Sequence, residues 1–303
     1  MEDILILISK ECIKLDDLIK CFLLDRKKIT FNDFQETIKQ WCINVMYSLN
    51  KNQLRDFNPI IKIDNFRKYY ENASVHVKNK KDFILNIDDQ FFLNAYTSEY
   101  NFFEFLYFLF HELIHVYQYI NAFSGKCDMD TINFIKEFII HEESIEYIDQ
   151  NDDKIMDYKW YWWGNYDFIL CEIEARIKGM QLMLILFKQL GLEDKYGSLC
   201  IELRQSIHNE IEKSKNSTRI VDTDFCNVDN PTVDSIFNYI IKTRPHLLLK
   251  YPQLKYLYIE DEGQVRPKSR EELILTLEEN EDNINLSNYI NQLLSDMATK
   301  KGK

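Results

Sequence analysis

The chain has 303 residues, 46% of them hydrophobic and 14% aromatic, with a formal net charge of -12. This apolar content excludes a disordered chain and demands a packed core, and seven Gly and five Pro are too few for a turn-rich all-β fold. The acidity, relieved only by the terminal Lys300-Lys301-Gly302-Lys303 cluster, excludes a nucleic-acid-binding surface and is read as a solubility device.

In chain order, residues 3–24 and 31–49 read as helices, the second opened by Thr30 or Asn32. The polar stretch from Asn50 to Pro59 reads as a loop. Ala73 to Val77 and Phe83 to Ile87 are β-prone runs, joined by a hairpin turn at Lys78-Asn79-Lys80-Lys81. Thr97 or Ser98 caps a long helix ending near Phe123, where Gly125 stops it. Helices are expected at 130–149, 166–190, 194–214, 232–249, 270 onward and 284–297, with a strand at 256–259 that turns at Asp261-Glu262-Gly263. Ser269 and Glu272 form a capping box for the helix starting near 270. The expected class is α+β, predominantly α-helical, with a small β-hairpin before the central helix and a helical C-terminal lobe. The expected division is an N-terminal helical segment (1–60), a core (61–192) and a C-terminal lobe (193–303), which also admits one continuous domain.

The seven cysteines (Cys12, Cys21, Cys42, Cys127, Cys171, Cys200 and Cys226) are odd in number and form no CxxC. They read as reduced, mostly buried thiols in a cytoplasmic setting. Glu2 and Asp3 precede the short apolar run Ile4 to Ile8, which does not resemble a secretory signal. The most apolar segment, Phe102 to Ile120, is interrupted by Glu104, Glu112 and two histidines, so no membrane span is expected.

That segment holds His111-Glu112-Leu113-Ile114-His115. Residues four apart share a helix face, so both imidazoles can reach one metal ion. Glu112, about 100° further round, stands where it can take a proton from an attacking water and pass it to a leaving group. The neighbours Phe108, Leu109, Phe110, Leu113, Ile114, Val116 and Tyr117 are uncharged, and a Glu and two His on such a helix are costly without a ligand.

The run Phe108-Leu-Phe-His-Glu-Leu-Ile-His-Val-Tyr-Gln118 resembles the active-site helix of zincin metallopeptidases. The resemblance covers about 70–180. It implies Zn²⁺ on His111 and His115, Glu112 as general base, and a hairpin whose edge strand, here Phe83 to Ile87, holds extended substrate. Phe108 departs from the family, which more often carries Val or Thr there. Position 121 is Asn rather than the metzincin histidine, so a downstream glutamate is implied as third ligand, as in gluzincins. Two segments compete. Cys171-Glu172-Ile173-Glu174-Ala175-Arg176 resembles an ExEA segment of zincin-like families, and Glu172, Ala175 and Gly179 share one face that lets the helix come close. Glu142-Glu143-Ser144-Ile145-Glu146-Tyr147 resembles the corresponding segment of collagenase- and aminopeptidase-like gluzincins, with Glu142 on an apolar stripe. Glu172 is preferred, Glu142 is the alternative, and Glu174, Glu146 or no carboxylate at all follow.

Tyr161, Tyr166, His141 and His208 are candidates for stabilising an oxyanion, and each also reads as a structural residue. Glu104 is a candidate partner for an imidazole or a solvent-exposed carboxylate. The Trp160–Trp163 cluster reads as core packing before cleft lining. Cys171 has no histidine at nucleophile spacing. The resulting expectation is a cytoplasmic zinc metallopeptidase acting on a protein or peptide, without nucleic-acid or membrane partners. The alternatives are a non-catalytic interaction module on the same fold and a metal-dependent hydrolase of a non-peptide amide.

Overall fold

The computed structural model describes residues 4–15, 18–20, 23, 28–65, 72–146, 170–216, 237–238, 240–242, 244–261 and 264–300, with the backbone alone at 141–146, 215–216, 296 and 299–300. It is mostly helical with a small sheet. The chain folds as two units: Met1–Ile120 with Ile173–Lys213, and Asn121–Glu172 with Ser214–Lys303.

The first unit opens on helix α1 (Ile4–Cys12), continued by a 3-10 turn at Ile13–Leu15 rather than by the unbroken helix expected to residue 24. Helix α2 (Phe31–Asn50) starts where the Thr30 side chain accepts a bond from the backbone N–H of Asp33. Phe34, Ile38, Trp41, Val45 and Leu49 recur at helical spacing along α2 and are buried. The indole N–H of Trp41 donates to the Glu11 carbonyl at 3.1 Å, tying α2 to α1.

Three strands follow: β1 (Asn58–Asp64), β2 (Ala73–Lys78) and β3 (Asp82–Asp88), in the order β1-β3-β2. The β2–β3 hairpin stands as expected, antiparallel, with Asn79 and Lys80 both left-handed at the turn. The expectation that Phe83 to Ile87 forms a substrate-holding edge is overturned. β3 is the central strand, parallel to β1 on one side and antiparallel to β2 on the other, so its backbone groups are already paired.

Asp88 ends β3 and begins helix α3 (Asp89–Ala95) by accepting bonds from the N–H groups of Gln90 and Phe91. Ser98 then accepts from the N–H of Asn101 at the head of helix α4 (Glu99–Phe123). Phe34, Phe91, Phe92, Phe102 and Phe105 pack edge-on or tilted between α2, α3 and α4. Phe108 joins them with its ring 5.3 Å from that of Phe91, which accounts for a bulky residue there as repacking. Helices α6 (Leu170–Gln189) and α7 (Gly197–Asn216) are linked by the Arg176–Glu210 ion pair at 2.9 Å. Most of α6 and most of α7 belong to this unit.

In the second unit, Asp128 caps helix α5 (Met129–Glu146), whose Ile132, Ile135 and Ile139 are buried. Among the described residues of 232–249, the expected single helix is interrupted. The described helical residues near 240 stop at Arg244-Pro245, where the proline nitrogen has no hydrogen to continue the ladder, and helix α8 (Leu247–Lys250) starts afresh. Tyr251 stacks on Phe123, and the Gln253 amide donates to the Ala122 carbonyl at 2.8 Å. Strands β4 (Tyr258–Asp261) and β5 (Gln264–Pro267) pair antiparallel, and β5 has no counterpart among the expected elements. Helix α9 (Arg270–Glu279) carries the expected Ser269–Glu272 capping box, and helix α10 (Ile284–Lys300) follows. Among the described residues, no helix is long and apolar enough to cross a membrane.

Candidate metal centre

His111 and His115 stand one turn apart on α4, and their Nε2 atoms are 3.0 Å from each other. Two nitrogens bound to one tetrahedral zinc at about 2 Å stand about 3.3 Å apart, so the imidazoles are already at chelating separation. The first turn of α6 brings a carboxylate to the same point. One ligand atom from each of His111, His115 and Glu172 lies within 4.8 Å of the other two, and Glu172 Oε2 is cut off from solvent. Two imidazoles and one carboxylate are a donor set suited to Zn²⁺ with a position left open. Glu172 is followed without a break by Ile173, so two continuous helices carry all three residues.

Small residues on α6 account for its close approach to α4. Ala175 is fully buried. A Cβ built at Gly179 stands 3.3 Å from the Tyr107 ring and 3.5 Å from the backbone nitrogen of His111. A Cβ there meets the Tyr107 ring first, and a side chain larger than Ala has no space unless that ring or the helix carrying the histidines gives way.

The outer nitrogen of His115 is also engaged. Nδ1 lies 2.8 Å from Oε1 of Gln118, whose amide nitrogen donates to Glu174 Oε2 at 2.8 Å. Lys178 in turn donates to Glu174 Oε1. Glu174, one of the lower-ranked ligand candidates, is therefore occupied behind the site by Gln118 and Lys178. Glu104, the other residue weighed for holding an imidazole, is exposed. Gln118 belongs to the motif but has no role that the sequence reveals, because a Gln three residues after a His means little until the residue behind it, 56 positions on, is known.

Glu112 is only 7% exposed, one residue round the helix from His111. A second buried carboxylate, Glu137 on α5, caps α6: its two oxygens accept from the N–H groups of Leu170 and Cys171, each at 3.0 Å. Burial pushes Glu137 up to about 7, against the bonds from Cys171 and Leu170 that hold it down, and the charge of Glu172 adds to the rise.

The remaining candidates fall elsewhere. The side chains of Glu142, Glu146 and His141, and residues Trp160–Trp163, Tyr161 and Tyr166, lie outside the described residues. His208 is exposed on α7. No protein family, curated protein or solved structure gives a significant match to the chain.

Proposed function

We propose that the chain is a metallohydrolase with a zincin-like core, built on a His2Glu zinc centre. Within that class we read it as a metallopeptidase acting on a peptide or protein in the cytoplasm. The observation that carries this reading is the convergence of His111, His115 and Glu172 at one point beside the buried Glu112. When bound, Zn²⁺ supplies a Lewis acid that acidifies water and polarises the scissile carbonyl.

The chain's own groups do the rest. His111 and His115 present neutral nitrogens, and Glu172 supplies one negative charge, so the set neutralises half of a divalent cation and leaves it electrophilic. Glu112 takes the proton of the attacking water and delivers it to the departing amine. Its burial removes competing solvent from that transfer.

Zinc analysis of the purified full chain, followed by Glu112→Gln, tests the reading. The wild type is expected to hold one equivalent of zinc and to cleave members of a peptide library followed by mass spectrometry. Glu112→Gln is expected to retain the zinc and to lose cleavage by a factor of about 10² to 10⁴. A wild type without stoichiometric zinc refutes the metal centre. A zinc-loaded wild type that cleaves nothing favours the interaction module, and cleavage confined to non-peptide amides favours the third reading.

A further inference from the structure

Four residues form a line of hydrogen bonds leading away from the site: His115, Gln118, Glu174 and Lys178. We infer that Gln118, oriented by Glu174 and Lys178, is the positioning residue that holds His115 in its metal-binding tautomer. The inference rests on the metallohydrolase reading, because it assigns a purpose to residues behind that centre.

The protons can be followed from the outside inward. Lys178 can only donate, and it donates to one oxygen of the Glu174 carboxylate, whose other oxygen is left to accept. The end of the Gln118 amide facing Glu174 must therefore be its nitrogen. Its oxygen then faces His115, and that oxygen can only accept. At 2.8 Å from it, Nδ1 of His115 carries the ring proton. A neutral imidazole has one such proton, so Nε2 is a bare lone pair, and it points at the space shared with His111 Nε2. An imidazole in water prefers the opposite arrangement, with the proton on Nε2, where it blocks a metal.

The geometry suits a fixed element. Gln118 lies three residues after His115 on α4, and Lys178 lies four after Glu174 on α6, so each pair shares a helix face. Gln118 is 5% exposed, so water does not compete for its amide. All four residues belong to the first unit.

Two readouts on the full chain test this. One is zinc affinity, by competition with a chelator. The other is the His115 tautomer in the metal-free protein, from long-range ¹⁵N–¹H correlations of the imidazole. Wild-type His115 is expected in the Nδ1–H form. Gln118→Met keeps the shape and removes the acceptor. It is expected to move His115 toward Nε2–H and to weaken zinc binding by about 10- to 100-fold. Gln118→Glu sets two carboxylates face to face and is expected to weaken binding as well. Adding Glu174→Gln to that variant places a donor behind the new acceptor and is expected to bring zinc affinity back to within about threefold of wild type. A role in packing alone is not rescued by reversing the polarity of the second bond.

Wild-type His115 protonated on Nε2, or zinc affinity in Gln118→Met within about twofold of wild type, overturns the inference and leaves the proposed function standing. A wild-type chain that takes up no zinc overturns the proposed function, and with it the purpose of the relay.

Discussion

Glu137 should make the stability of the metal-free protein depend on pH in an unusual direction. Its carboxyl is 2% exposed and is pushed by burial from an ordinary 4.5 up to about 7. A folded-state value above the unfolded one means that the folded chain holds the proton more tightly. The resulting stabilisation is fully present below the unfolded value and is lost as pH rises through about 7. Between pH 5.5 and pH 8 the loss integrates to about 2 kcal/mol. Glu137→Gln removes the titration. Its amide has one oxygen for the two N–H groups of Leu170 and Cys171, so it also loses about 1 kcal/mol that does not vary with pH. Urea unfolding with a metal chelator present, run on both proteins across this range, isolates the group. Wild-type stability minus that of Glu137→Gln should fall by about 2 kcal/mol with rising pH. A flat difference, or one that grows, refutes the assignment of a protonated, buried Glu137. On the zinc-centre proposal, excess zinc should shrink the fall only slightly, because a cation on Glu172 cancels a charge that merely adds to the effect of burial on Glu137.

Two further outcomes follow from packing. Gly179→Ala gains about 1 kcal/mol of helix propensity and loses a similar amount against the Tyr107 ring, so its net stability change by urea unfolding should lie within about 1 kcal/mol of zero. Gly179→Leu has no such room and should lose about 2 kcal/mol and, on the zinc-centre proposal, at least about tenfold in zinc affinity; unchanged stability in that variant contradicts the close approach of α6 and α4. Cys12 and Cys127 are buried thiols pushed up to about 12, and burial raises Cys42 as well. Peptide mapping after brief alkylation at pH 8 should find these three unlabelled in the folded protein and labelled in urea, and rapid native labelling contradicts their burial.

The features legible in the sequence are those set by local chemistry. Thr30, Ser98, Ser269 and Glu272 announce helix starts because a cap needs only residues within one turn. The β2–β3 turn is legible for the same reason. What escapes depends on distant partners. The start of strand β1 reads as loop because it closes the polar stretch from Asn50 to Pro59, yet a strand opening with Asn58-Pro59 is tolerated on an edge, and β1 is an edge. With β3 the expectation fails in the opposite sense. The near-continuous apolar run Phe83-Ile84-Leu85 is the mark of a strand buried on both faces, as Ile84 and Leu85 both are, and it argues against an edge. The Gln118 link requires knowing that α6 lies beside α4, which no pattern within α4 records.

The preference for Glu172 over Glu142 has a reason that the helix contact makes concrete. A carboxylate has a short reach, so a third ligand on another helix needs the two backbones close, and closeness needs small residues at the crossing. Ala175 and Gly179, three and seven residues after Glu172, supply that face, whereas Glu143 and Ile145 replace the small residues expected beside Glu142. The same stretch of α6 carries Glu174. The candidate ligand and the anchor of the candidate tautomer relay are thus two residues apart on one rigid element, whose N-terminus Glu137 holds. On the metallohydrolase reading, a shift of α6 misplaces the carboxylate and frees the Gln118 amide together. Zinc affinity should therefore respond more steeply to Gly179→Leu, which moves the helix, than to Gln118→Met, which breaks one link and leaves Glu172 in place.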